Sequence, residues 1–355
     1  MSKTEDHKSH FLYMSLCLCA VGMSALLGGC TSERGELFEP LAEPIVWPGE
    51  PEEPRIKFIG VISTEEDLKK EVPWAEGFLR FFFGREDTGV LLGPYDVCVD
   101  DRQRMFVADM AGSNIHVFDL ANREYRQFSG ISNDDRLISP VSLELVDGKV
   151  YVVDSILHKV CVFDTEGEFL FCFGADALQR PTSIAYMAET ERFYVTDTPA
   201  HTIKIFTKDG KQIDTIGSRG VENAQFNYPT HISIDTSGNI YVSDTLNYRV
   251  QIFTKHGAFL RSFGDQGDRP GNFAHPSGIS TDNYGNIYVV DRQFENIQIF
   301  DSNGQILMAI GGEGGGFGEF WLPGGIFIDD ANRMYVADSF NKRIQIFELI
   351  DGGTP

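Results

Sequence analysis

A five-residue motif, apolar–aromatic–Val–x–Asp, recurs six times and limits what this chain can fold into more than any other feature. Its copies are Met105–Asp109, Val150–Asp154, Phe193–Asp197, Ile240–Asp244, Ile287–Asp291 and Met334–Asp338. The aspartates stand 45, 43, 47, 47 and 47 residues apart. A proline precedes each by fourteen to sixteen residues: Pro94, Pro140, Pro181, Pro229, Pro276 and Pro323. After each aspartate comes an apolar run such as Arg249–Phe253 or Arg343–Phe347, then a Gly turn and a segment ending in Phe-Gly or Ile-Gly. Each repeat therefore reads as four short strands separated by Gly, Asn and Asp turns. One four-stranded sheet cannot cover both of its faces alone. Radial stacking of six sheets into a closed ring does so, which predicts an all-β chain folded as a six-bladed β-propeller.

Units 4 to 6 carry the pattern most fully, as in Pro229, Asp235, Gly238-Asn239, Ile240–Asp244, Asn247 and Arg249–Phe253. This resembles the NHL-repeat six-bladed propellers, and the likeness spans about residues 55–349. Units 1 to 3 keep the proline, aspartate and aromatic positions but lack the Asn-x-Arg element. The sixth unit ends after its third strand, Ile344–Phe347. The missing fourth strand is expected from the other end of the chain, in Arg55–Ile62, because an unpaired apolar edge would otherwise be exposed. Residues 65–84, with Trp74, Phe78 and Phe81–Phe83, read as a short amphipathic helical insert.

Ahead of the repeats, residues 11–27 form an apolar run that ends in Leu27-Gly28-Gly29-Cys30. Such a run closing on small residues reads as a secretory signal, residues 1–29. Leu-Gly-Gly-Cys resembles the bacterial lipobox, which implies cleavage before Cys30 and lipidation of its thiol. The alternative is an uncleaved membrane anchor, for which seventeen residues are short. Thr31 after the cysteine implies, by the same resemblance, an outer-membrane lipoprotein of the bacterial envelope. Residues 30–54 hold five prolines and seven acidic residues, the composition of an extended, self-repelling tether. Trp47 offers one way of docking on the folded body, but a solvated linker is the expected reading. Residues 350–355 are a tail.

The formal net charge is −22, and loss of residues 1–29 leaves it unchanged. An acidic chain with no basic patch repels phosphate backbones, so nucleic acid is excluded as a partner class. Gly311–Gly318 looks like a phosphate cradle, but no Lys-Ser/Thr pair and no helix follows it. Phe226, Phe273 and Phe320, each three residues before a repeat proline and each preceded by glycines, mark these stretches as connections between blades. The six aspartates Asp109, Asp154, Asp197, Asp244, Asp291 and Asp338 are expected to be structural, accepting hydrogen bonds from loop backbone. Asp100, Asp235, Asp282 and Asp329 are expected to cap turns in the same way. A hairpin centred on Glu166-Gly167 places Cys161 opposite Cys172, as a disulfide or as two buried thiols.

Some six-bladed relatives are zinc lyases or calcium-dependent lactonases. A zinc site needs three converging protein ligands. Two residues after the repeat proline the units offer Asp96, Ser142, Ser183, His231, Gly278 and Gly325, which is too few. No metal site, no cofactor and no catalytic constellation is therefore expected. One face gathers the loops before each inner strand and those between second and third strands. It is expected to carry Asp96, His158, His201, His231, Tyr248, His275, Arg292, Gln293, Trp321 and Phe340. Such loop residues on a rigid frame suit recognition of a protein, peptide or glycan in the envelope, with the membrane touched through the lipid anchor only. Two alternatives remain: a metal-dependent lyase or lactonase over the channel, with zinc or calcium, and an accessory subunit of an envelope electron-transfer or export assembly.

Overall fold

The computed structural model describes residues 36–69, 89–132 and 134–350. Cys30 and the signal-like run lie outside the described residues, as do residues 70–84 of the expected helical insert. Among the described residues of that insert, Glu65–Leu68 form a single 3-10 turn. Thr64 caps it, accepting from the Glu66 N–H, while Asp67 reaches back to the Thr64 N–H. No helix among the described residues is long and apolar enough to cross a membrane.

Six antiparallel sheets are arranged as blades. Their inner strands are Pro94–Val99, Pro140–Val146, Pro181–Met187, Pro229–Ile234, Pro276–Thr281 and Ile326–Ile328, and each neighbours the next, with the sixth beside the first. The motif lies on the second strand of every blade. Arg104–Asp109 is buried at all six positions and Ile240–Asp244 at all five, because a neighbouring blade covers each face. The outermost strands are the wet ones: in Phe259–Phe263 the middle three residues are exposed. The apolar core is thus a set of slabs between blades. One slab packs Phe106, Ile115 and Val117 against Val150, Val152 and Phe163, and another packs Tyr241, Val250 and Ile252 against Ile287, Val289 and Phe300. Each buried Phe contributes roughly 1.5–3 kcal/mol relative to an exposed one.

The aromatic of the motif has a second task in three blades. The hydroxyls of Tyr241, Tyr288 and Tyr335 donate to Asp235, Asp282 and Asp329. Those aspartates also accept N–H groups within their own turns, for instance from Ser237 and Asn239.

Ring closure comes from the N-terminal side. Ile56–Ile62 pairs antiparallel with Arg343–Leu349, from Ile56 opposite Leu349 to Ile62 opposite Ile344. The segment before it differs from the solvated tether inferred from composition. Val46–Trp47 forms a fifth strand on blade 6, pairing with Ile56 and Lys57. The Trp47 ring meets Phe347 edge-on at 5.8 Å, and Phe58 stacks on Phe317 at 4.8 Å. Proline-rich chain is already extended, so composition alone does not separate a free spacer from an edge strand.

The glycine stretch before blade 6 folds around a phenylalanine rather than a phosphate. Phe320 is fully buried, its N–H donates to Gly312 O, and its carbonyl accepts from Gly314 N. A Cβ on Gly311 would fall 2.4 Å from the Phe320 ring, so only glycine fits.

Candidate functional site: a plugged channel and a ring of loops

The repeat aspartates organise the face where the inner strands begin. All six are fully buried. Asp154 accepts four backbone N–H groups, from Ile138, Ser139, Ile156 and Leu157. Asp291 does the same with Ala274, His275, Gln293 and Phe294. In blades 4 and 6 side chains replace some of these donors. Asp338 accepts from Trp321 N, Asn341 Nδ2, Arg343 Nε and Gln345 Nε2. In every blade but the third the aspartate therefore ties an inter-blade loop to the segment after the second strand. Asp197 holds the inter-blade loop alone, through Gln179 N and Arg180 N. Asp244 makes the same ties through Asn227 N and Arg249 Nε, yet burial outweighs them and raises its pKa.

A further constraint repeats four residues after each aspartate. Ser113, His158, His201, Tyr248, Glu295 and Lys342 all have φ between 54° and 58°. The tight loop requires a left-handed residue there, whichever side chain occupies it.

The ten expected face residues separate into different settings. Trp321 and Phe340 are exposed on the rim with ring centroids 5.5 Å apart. His158 and Gln293 are also exposed, while Tyr248, His275 and Arg292 are half-buried. His201 is buried: its Nδ1 accepts from the Tyr228 N–H and its ring abuts Tyr228 edge-on. Asp96 and His231 lie below the face, in the channel wall.

Apolar rim residues missed in the sequence outnumber those found. The N–H of Met110 donates to Gly93, that of Ser155 to Ser139 and that of Phe340 to Trp321. These bonds join the loops that carry Leu92 and Met110, Ile138 and Ile156, and Trp321 and Phe340, the last two with their rings in contact. The three pairs belong to the consecutive blades 1, 2 and 6. All six side chains are 41–53% exposed. Tyr228 and Leu246 repeat the arrangement on blade 4. Periodicity gave no warning because these residues sit in loops, where it does not apply.

Beneath the rim a cavity of about 230 Å³ runs along the inner strands. It extends from Asp96, Ser142, Ser183 and His231 to the turns at the far ends, where Asp235, Asp282 and Asp330 line it. At the rim end the Tyr95 ring stacks on His231 of the opposite blade at 6.0 Å, with the Arg292 guanidinium 5.5 Å from its centroid. Tyr95 thereby closes that end. Its counterparts after the other repeat prolines are Val141, Thr182, Thr230, Ser277 and Gly324, so this lone aromatic was the signal available in the sequence.

Electrostatics in the channel are those of groups taken out of water. Burial pushes the Asp96 carboxyl up to about 6, against hydrogen bonds from Leu143 N, Ser142 and Val97 N. Burial and the nearby Asp96 push Glu144 up to about 8, against a hydrogen bond from Tyr186 N. His231 is held down at about 3 by burial, then by Arg292 and His275. Among the described residues no three His, Cys, Asp or Glu side chains come close enough to share a metal ion. Cys161 and Cys172 stand directly opposite across a hairpin and are joined as a disulfide. Cys98 is a buried free thiol.

Comparison with known proteins agrees on architecture. A family model described as 6-bladed beta-propeller matches residues 236–295 and 280–353. Virginiamycin B lyase from Staphylococcus aureus is similar in structure, with 17% identity, 73% of this chain and 96% of that one covered, and a TM-score of 0.55. A Bacteroides thetaiotaomicron protein of unknown function superposes at 14% identity over 74% of this chain and 70% of that one, TM-score 0.58. Hydrazine synthase of Kuenenia stuttgartiensis does so at 10% identity over 75% and 98%, TM-score 0.53. No curated protein matches the sequence. At these identities the likeness is one of fold. From its repeats, its closed ring of sheets and the family model matching it from blade 4 onward, the chain is a six-bladed β-propeller.

Proposed function

We propose that this propeller is a protein-binding scaffold of the bacterial envelope, held to the membrane by lipid on Cys30, and that it works without catalysis. The observation that carries the reading is the set of exposed apolar side chains on the rim of the consecutive blades 6, 1 and 2. Six large side chains at 41–53% exposure are apolar area that soluble surfaces otherwise limit. Trp321 and Phe340 supply rigid aromatic area there, the chemistry of an interface anchor. The channel supports this reading as well, since Tyr95 blocks access to Asp96 and His231 from the rim side. A lyase-like or lactonase-like enzyme is the competing reading, favoured by the structural likeness to virginiamycin B lyase.

Two experiments separate them. Crosslinking and pull-down from the native envelope is expected to recover a specific partner with the wild type. The triple variant Ile156→Ser, Trp321→Ala, Phe340→Ala is expected to lose that partner at an unchanged melting temperature. Equal recovery by both proteins would sink the scaffold reading. Elemental analysis addresses the enzyme: stoichiometric zinc or calcium that disappears on changing His231 or Asp96 would favour it instead. For the anchor, Cys30→Ser is expected to release the protein from membranes, and a cleaved yet membrane-bound mutant would refute lipidation.

A further inference from the structure

We infer that the central channel is a binding site for a small alkylammonium ion, entering from the turn face and held by Asp96 and Glu144, with His231 as a third acceptor. This goes beyond the scaffold reading, because the site lies below the rim and is closed off from it by Tyr95.

The inner strands show how the channel wall is normally satisfied. In blades 1 to 3 the side chain two residues after the repeat proline reaches the next blade and takes a backbone N–H. Asp96 accepts from Leu143, Ser142 Oγ from Ile184, and Ser183 Oγ from Ile232. His231 occupies the same position on blade 4 and breaks the series. It is 4% exposed, lines the cavity, and both of its ring nitrogens are without a hydrogen-bond partner. A buried polar group in that condition is unfavourable until a hydrogen-bonding partner reaches it. With its pKa near 3, the imidazole is neutral and offers one nitrogen as an acceptor.

Charge decides what kind of ligand fits. Asp96, Glu144, Asp235, Asp282 and Asp330 line the cavity, and no Lys or Arg does. Among the described residues neither Asp96 nor Glu144 forms an ion pair. An anion is therefore disfavoured, and a cation gains from both carboxylates. No three ligands converge, which fits an organic ammonium donating to spaced acceptors better than a metal ion. Tyr186 and Phe327 in the same wall offer an alkyl stem apolar contact. A cavity of about 230 Å³ limits the ligand to a short chain.

Calorimetric titration of the full-length protein at pH 8.5, where both carboxyls are largely ionised, tests this. The probes are n-butylamine, 1,4-diaminobutane, the uncharged 1,4-butanediol and calcium chloride. At least one amine is expected to bind saturably at one site, and the diol is not. Glu144→Gln keeps an acceptor for the Tyr186 N–H. Asp96→Asn keeps an acceptor for one of its two backbone donors, Val97 N or Leu143 N. Each is expected to weaken binding about tenfold or more in protein shown to be folded. His231→Phe, which keeps the stack on Tyr95, is expected to weaken it less. Absence of saturable amine binding to about 10 mM overturns the inference. So does amine binding untouched by the carboxylate variants, or calcium binding at the site in place of the amines. The rim variant with changed Ile156, Trp321 and Phe340 should bind amines as the wild type does, so failure here and failure of the scaffold reading are separable.

Discussion

At the scale of single residues, the same backbone positions recur while the side chains filling them change. Seven residues after each repeat aspartate stand His116, Cys161, Lys204, Gln251, Gln298 and Gln345. Gln251 and Gln345 bridge their aspartate to the preceding loop, donating to Asp244 and Asp338. His116 lies 3.4 Å from Asp109 in the same place, with Tyr125 at 2.8 Å on its other nitrogen. In blade 2 the position holds the disulfide. Asp154, with backbone donors alone, isolates the worth of the carboxylate. Asp154→Asn turns an amide toward N–H groups that need an acceptor, and is expected to cost about 3 kcal/mol in denaturant unfolding. A loss below about 1 kcal/mol would mean the loops hold themselves. His158 gives the opposite sign. It is exposed with φ at 56°, so His158→Gly is expected to stabilise by about 0.5–1 kcal/mol through relief of left-handed strain. Destabilisation instead would show that the imidazole makes a contact of its own.

Among the elements, the strands were the most legible part of the sequence, because the motif states their length, order and burial six times over. Even the closing strand Ile56–Ile62 could be placed, since the last repeat lacked one and an apolar edge demands cover. Val46–Trp47 escaped because its prolines and glutamates read as spacer, although Trp47 packs on Phe347 and sits over Gly318. Trp47→Ala is expected to lower stability by about 2 kcal/mol, less than for a fully buried Trp because the ring is half-buried. An unchanged unfolding midpoint would return this segment to the status of a free spacer. The apolar rim residues were illegible for another reason: Leu92 and Met110 lie in separate loops, which the hydrogen bond from Met110 N to Gly93 O joins.

For the molecule as a whole, the ring brings residues of distant blades to one axis, and no one-dimensional pattern reports that. Tyr95 from blade 1, His231 from blade 4 and Arg292 from blade 5 meet only because six sheets close. The channel they plug also sets a pH dependence. Asp96 and Glu144 titrate in the fold near 6 and 8, above the ordinary 3.8 and 4.5. The folded chain therefore holds more protons than the unfolded chain between about pH 4 and 8. Their contribution is complete below the ordinary values and is lost as pH rises through the shifted ones. Without ligand, Glu144→Gln is expected to flatten the fall in stability between about pH 5 and 8 and to add about 1–2 kcal/mol above that range. Parallel pH profiles for mutant and wild type would contradict this. The pairing of Ile56–Ile62 with Arg343–Leu349 bears on biogenesis. Five blades and most of the sixth are synthesised between the two partners. Until the second partner is made the ring stays open and an apolar edge stays bare, so the chain must be kept from its neighbours during its synthesis.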